Sequence, residues 1–302
     1  MVQVFKDGPA DVAGCKLGDR IEAVDGKDVT SLSISPIIDL LRGAEGSTVT
    51  VVVRQPGEDR AHTVNIIRGL VRLETIHYTL VGGRKQTAHL KFDSVSASAV
   101  QELRQFAERA AKDHVRAVIV DLRGTYSGNL HYAMLTADAF LGDGRIGRIH
   151  TRHGIREFSA NRDSLFRDLP LSVLVDRDTG AAAEWIAAAL QTAKQGGVVG
   201  QRTRGDGYVK TAIPIPGRDT VVWLPTGIFE RGDGTRFLKP RSLRSPATAR
   251  YEAQRKGVEW GVSPDEHVAP GGPGSEDTVL KRAIEMLDSQ LAGDSSSRAN
   301  AL

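Results

Sequence analysis

Between residues 97 and 199 the chain switches repeatedly between two hydrophobic periods, and this limits the fold more than any other feature. Ala97–Ala111 carries apolar residues at helical spacing, and Ala117–Leu122 follows as an apolar strand. A second helical pattern covers roughly residues 130–141. Leu171–Val175 is a short apolar strand, Ala181–Ala193 a strongly apolar helix, and Val198-Val199 begins another strand. Strand-like Leu70–Leu80 and Thr87–Phe92 stand ahead of them. This order argues an α/β sheet covered by helices.

The first part of the chain has a different grammar. Residues 2–6 and Ile21-Glu22-Ala23-Val24 alternate apolar and polar as strands do, and Asp25-Gly26 is a hairpin signal. Ile34, Ile37, Ile38 and Leu41 fall at helical spacing, and Gly43 and Gly46 end that helix. Thr48–Arg54 and Thr63–Ile67 read as strands. The chain thus divides into a small β-rich module over residues 1–69 and an α/β core over 70–270. Within the core, 231–257 reads as a basic, irregular insertion loop. Residues 271–302 follow as a linker, an amphipathic helix at Val279–Leu291 and a frayed tail. With 302 residues there is enough chain for two such domains.

Composition removes several function classes. Hydrophobic residues make up 40% and charged residues 25%, as in an ordinary globular protein. The net charge of +3 is small and the signs are interspersed, so no nucleic-acid partner is indicated. No run of about 18 apolar residues exists to span a membrane. Cys15 is the single cysteine and excludes an intrachain disulfide. The first residues lack a basic start, an apolar stretch and a cleavage site, so the chain as written reads as cytoplasmic.

Several segments carry a more specific message. Gly8-Pro9-Ala10-Asp11-Val12-Ala13-Gly14, followed by Leu17-Gly18-Asp19-Arg20-Ile21-Glu22-Ala23-Val24-Asp25-Gly26, resembles the turn-and-strand run of PDZ domains. Val118-Ile119-Val120-Asp121-Leu122-Arg123-Gly124 leads into Thr125-Tyr126-Ser127-Gly128. Val173-Leu174-Val175-Asp176-Arg177-Asp178-Thr179-Gly180-Ala181-Ala182-Ala183-Glu184 comes next, then Val199-Gly200-Gln201-Arg202-Thr203-Arg204-Gly205-Asp206-Gly207 and Gly261-Val262-Ser263-Pro264-Asp265. In order and spacing these resemble the C-terminal (tail-specific) processing serine proteases that carry a PDZ domain. The resemblance covers roughly residues 1–270. It implies a PDZ-like domain followed by an α/β protease core, a polypeptide substrate or protein partner, no cofactor, and in many relatives export to the cell envelope.

The resemblance also implies a serine/lysine dyad. In such a dyad the hydroxyl sits at a helix start near oxyanion-stabilising N–H groups, and a neutral lysine removes its proton. The family's serine falls on Ala181, its lysine on Asp206 and the glutamine that orients the lysine on Lys210. The oxyanion loop falls on Ser127 and Gly128, with Ala182 following the nucleophile position. A methyl group has no lone pair, and a carboxylate is a weak, charged base. Lys210 is the candidate to substitute as base, but four strand residues displace it by about 13 Å from position 206. Ser127, Ser159 and Ser172 have no recognisable base. His150 and His153, three apart, would face one metal if helical, but no third ligand accompanies them. Glu184 reads as a first-turn acid favoured by the helix dipole. In the first module, Ile34, Ile37, Ile38 and Leu41 mark the helix that would line a peptide groove. The strand and carboxylate loop that precede this region in relatives are not recognised, so a remnant that only packs on the core is the competing reading.

The leading expectation is a catalytically inactive homologue that binds peptide or protein. An active serine-type endopeptidase acting at or near C-terminal tails is the alternative. A scaffold subunit, homo-oligomeric through the C-terminal helix, is a third.

Overall fold

The structure is a computed structural model that describes residues 4–5, 8–69, 74–83, 86–126, 129–161, 164–166, 168–193, 196–217, 220–239, 260–272 and 274–299. The chain forms two compact units, Met1–Leu73 and Glu74–Leu302.

In the first unit, helix α1 (Pro9–Val12) leads to strands β1 (Arg20–Val24) and β2 (Lys27–Asp28), helix α2 (Ile34–Leu41), and strands β3 (Thr48–Arg54) and β4 (His62–Ile67). The sheet order is β2-β1-β3-β4, antiparallel at every pairing. Strand β3 alternates as its sequence demands. Val49, Val51 and Val53 point into a core with Cys15, Val24, Val29, Val64 and Ile66. Val4 and Phe5, expected in a strand, are not part of one.

The second unit begins with β5 (Ile76–Val81), β6 (Thr87–Phe92), α3 (Ala97–Lys112), β7 (Ala117–Asp121) and α4 (Leu130–Phe140). It continues through β8 (Arg145–Thr151), β9 (Gly154–Ser159), β10 (Leu171–Val175), α5 (Ala182–Thr192) and β11 (Gly196–Gly200). Strands β12 (Tyr208–Pro214), β13 (Val221–Arg231) and β14 (Glu266–His267) and helix α6 (Thr278–Ala299) complete it. One sheet runs β14-β11-β10-β7-β6-β5, parallel except for the β5–β6 pair. A second, antiparallel sheet runs β12-β13-β8-β9.

Strands β7 and β10 are buried along their whole length because both faces are covered. Val118, Val120, Val173 and Val175 join the core built with α3, α4 and α5. Ala117, Ile119 and Leu174 face the other way, onto Val279, Ala283 and Leu287 of α6. The C-terminal helix, set apart in the sequence reading, therefore packs on the sheet and lies within the second unit. Helix α5 is buried from Ala182 to Leu190 and lies against both sheets. Its alanines permit that close packing, and Trp185 stacks on Phe229 of β13 at 5.6 Å. The start of this central helix, reached from the carboxyl end of β10, positions the site described next.

Residues 240–259 lie outside the described residues, and with them most of the expected 231–257 insertion loop. Its first residue, Arg231, closes strand β13. No helix among the described residues is long and apolar enough to cross a membrane.

Candidate functional site

The connection from β10 to α5 is built by hydrogen bonds before any chemistry is considered. Asp176 Oδ1 accepts from the N–H groups of Gly124, Asp178 and Thr179 at 3.0, 3.0 and 2.8 Å. The Thr179 hydroxyl lies 3.0 Å from the Leu122 carbonyl, and the Gly180 N–H donates to the Thr125 carbonyl at 3.1 Å. These bonds tie the turn to the loop after β7.

Ala181 caps the helix with φ 49° and ψ −124°. An L-residue rarely adopts this backbone conformation, which is the kind of sharp strand-to-helix turn that elsewhere presents a nucleophile. Here the turn presents a methyl group. Ala182, the next residue, is fully buried. Ser127 and Gly128, the expected oxyanion-loop positions, lie outside the described residues.

Tyr126 closes over this turn. A Cβ added to Gly180 would meet the Tyr126 ring at 2.5 Å, so glycine is required for the close approach. The Tyr126 hydroxyl donates to Asp206 Oδ2, and Arg204 stacks on the ring with its guanidinium carbon 4.6 Å from the centroid. The bond to Asp206, together with burial, pushes the Tyr126 phenol up to about 12, so it remains a donor at neutral pH. Lys210 Nζ lies 3.7 Å from Asp206 Oδ2. The two side chains reach toward each other and span the backbone offset between Lys210 and position 206. Ala181 thus stands on the same short turn as Gly180, beneath Tyr126, whose hydroxyl links it to Asp206 and Lys210.

The first-turn position of Glu184 predicts a favourable helix-start charge, and its surroundings give it a larger role. The side chain is fully buried. Its carboxyl accepts from the Thr203 hydroxyl, from Gly205 N at 2.5 Å and from Asp206 N at 2.7 Å. Burial pushes the carboxyl up to about 7 against the opposing pull of those three donors. One acid therefore anchors the loop that presents Arg204 and Asp206.

The other sequence candidates separate from this cluster. Ser172 is buried in β10 and donates to the Gly197 carbonyl at 3.1 Å, while Ser159 ends β9. His150 lies on strand β8, not on a helix, and pairs with Glu230 at 2.7 Å beside Arg148 and Arg236. His153 is in the turn that follows. No group of three or more metal-capable side chains occurs among the described residues.

In the first unit, Ile38 and Leu41 line an apolar cavity of about 590 Å³ with Phe5, Pro9, Val49 and Ile66, rimmed by Arg42 and Arg68. Ile37 packs on the core, and Ile34 is 75% exposed and lines neither.

Comparison with known proteins agrees with this architecture. Residues 86–242 match the family model described as Peptidase family S41, and residues 2–55 match that of a PDZ domain. The chain belongs to peptidase family S41. The carboxy-terminal-processing protease of Bartonella bacilliformis is 27% identical to this S41 member over 78% of the chain and 55% of the relative. The carboxyl-terminal-processing protease of Picosynechococcus is 30% identical over 69% of the chain and 50% of the relative. The chain spans about half the length of these curated relatives. Among solved structures, a photosystem II D1 C-terminal processing protease aligns with TM-score 0.53 and 26% identity, over 93% of this chain and 70% of that one.

Proposed function

We propose that this chain is a family member in which the serine/lysine route to peptide hydrolysis has been lost and polypeptide binding retained. The observation that carries the reading is Ala181. It occupies the strained turn at the start of α5, where the family resemblance puts the serine, and offers no oxygen for attack. Asp206, at the position of the family's lysine, is engaged by Lys210 at 3.7 Å and by the Tyr126 hydroxyl, and offers no amine to serve as base. Loss of the nucleophile alone costs serine hydrolases about a million-fold in rate.

The competing reading, an active serine-type endopeptidase, draws on Lys210. Its amine does return to the neighbourhood of position 206, but it needs a hydroxyl partner. Treatment of the full chain with a fluorophosphonate probe, alongside incubation with an unfolded protein, separates the two. The expected result is no labelled serine and no cleavage above a heat-inactivated control. A mapped labelled serine whose replacement abolishes cleavage would overturn the proposal.

A further inference from the structure

The cleft beside Ala181 carries charges that peptide-bond hydrolysis does not require. A cavity of about 420 Å³ is lined by Tyr126, Arg204, Asp206, Tyr208, Lys210 and Lys239, with Gly205 and Pro225 closing it. This volume lies within the range of sites that take small ligands, about 300–1,000 Å³. Three cations face a single carboxylate there, an excess of two positive charges.

The carboxylate is already engaged, since Asp206 holds the Tyr126 hydroxyl and Lys210. Arg204 reaches Asp178 only at 3.9 Å, with both side chains more than half exposed, so that pair is weak. Lys239 is placed by its backbone bond to the Gly205 carbonyl at 3.0 Å. Its ammonium lies 5.6 Å from the Trp260 ring, and no carboxylate among the described residues pairs with it. The apolar walls between these charges come from Tyr208 and Pro225, since Arg204 covers a face of the Tyr126 ring. Tyr208 and Lys210 of β12 both line the cleft, and Pro225 of β13 lies opposite Lys210 where the register shifts. The cleft therefore sits over this hairpin.

We propose that this cleft binds a carboxylate-bearing stretch of extended polypeptide, with Arg204 and Lys239 as its principal anchors and Lys210 shared with Asp206. The inference rests on the polypeptide-binding reading above and adds the chemical class of the ligand. A planar guanidinium suits a carboxylate, and Tyr208 and Pro225 accept the neighbouring apolar side chains. The carboxylate has two possible sources, a free chain terminus or an Asp or Glu side chain.

The test is fluorescence anisotropy on the full chain with four labelled versions of one unstructured apolar peptide. One has a free C-terminus and one a C-terminal amide. One has an amide with a penultimate Glu, and one an amide with Gln in its place. Carboxylate-bearing versions are expected to bind about tenfold more tightly than neutral ones, with an advantage that shrinks as salt rises. Preference for the free terminus over its amide would identify a chain end. Preference for Glu over Gln would identify a side chain.

Arg204→Gln and Lys239→Gln are each expected to weaken carboxylate-bearing peptides about fivefold and leave the neutral ones unchanged. This separates the cleft from the cavity of the first unit. Equal affinity for all four peptides overturns the inference, as does indifference to both substitutions. Displacement by a short polyphosphate as effective as displacement by unlabelled acidic peptide would show a general polyanion surface and also overturn it. Probe labelling or cleavage alongside an intact carboxylate preference would sink only the loss of hydrolysis.

Discussion

Glu184 offers a quantitative test of how the site is held. Its carboxyl is fully buried and displaced from 4.5 to about 7. Between those values the folded chain keeps a proton that the unfolded chain has released, so stability falls as pH rises through this window and levels off above it. Integrated between pH 5 and pH 8, this one group lowers stability by about 2.5 kcal/mol. For a unit of this size that is a drop of about 5–10 °C in Tm.

All three tryptophans, Trp185, Trp223 and Trp260, lie in the second unit, so intrinsic fluorescence follows its unfolding without interference from the first. The perturbation is Glu184→Gln. The amide has one acceptor oxygen for three donors, so the variant carries a fixed penalty from unmatched N–H groups. That penalty does not change with pH, whereas the ionisation effect does. The difference in stability between wild type and variant, measured by urea unfolding from pH 5 to pH 8, is therefore expected to shift by about 2.5 kcal/mol in favour of the variant as pH rises. Parallel curves would refute the argument, because they would mean that Glu184 titrates alike in the folded and unfolded chains.

Ala181→Gly is expected to raise the Tm of the second unit by about 2–4 °C, because glycine removes about 1 kcal/mol of strain at positive φ. A fall in Tm would contradict the strained turn. Asp121→Asn is expected to cost about 3 kcal/mol in urea unfolding at unchanged m, because a buried acid there receives His89, Arg123 and Lys91. The cost is held near the lower end because Arg123 keeps its second partner, Asp277, at 2.8 Å. Ala181→Ser is expected to remain unlabelled by fluorophosphonate while Asp206 holds Tyr126 over the turn, and to gain labelling when Asp206→Lys and Tyr126→Gly are added. Labelling of the single variant would show that the ring is no obstacle.

The legible parts of the sequence were those whose cause is local. Continuous apolar runs disclosed β7 and β10 because both of their faces are buried. The motif around Asp19 disclosed the first module, since Asp19 is itself buried and accepts from Lys16 N at 2.8 Å. Strands β8 and β9 were missed because their segments, Arg145–Thr151 and Gly154–Ser159, are charged and largely exposed on β9. The ion pairs of Arg148 and His150 on β8 close onto Glu230, far along the chain. Glu184 shows the same limit. Its position in a first helical turn suggests a dipole contact, but the donors that define its role arrive from residues 203–206. The Tyr126–Asp206 bond and the charge of the cleft likewise depend on segments brought together only by the fold. The clue available in the sequence was the concentration of Arg204, Asp206 and Lys210 where the family pattern asks for one lysine.

The hydrogen bonds around α5 separate the frame of the site from the residues at the family's reacting positions. Strained residues persist when their surroundings over-determine them. The turn before Ala181 is held by Asp176, by Thr179 and by the backbone of Gly180, and the facing loop by Glu184 together with the Arg204 N–H bond to the Thr179 carbonyl at 3.1 Å. None of these groups stands at a position where the resemblance places a reacting atom. Asp206 and Lys210 line the cleft and Ala181 stands on the turn before α5, so substitution at these positions alters what the site attracts and leaves those frame bonds in place. The same reasoning assigns opposite consequences to neighbouring acids. Loss of Asp206 releases Tyr126 and Lys210 at the surface of the cleft, whereas loss of Glu184 frees the loop that carries Asp206 itself.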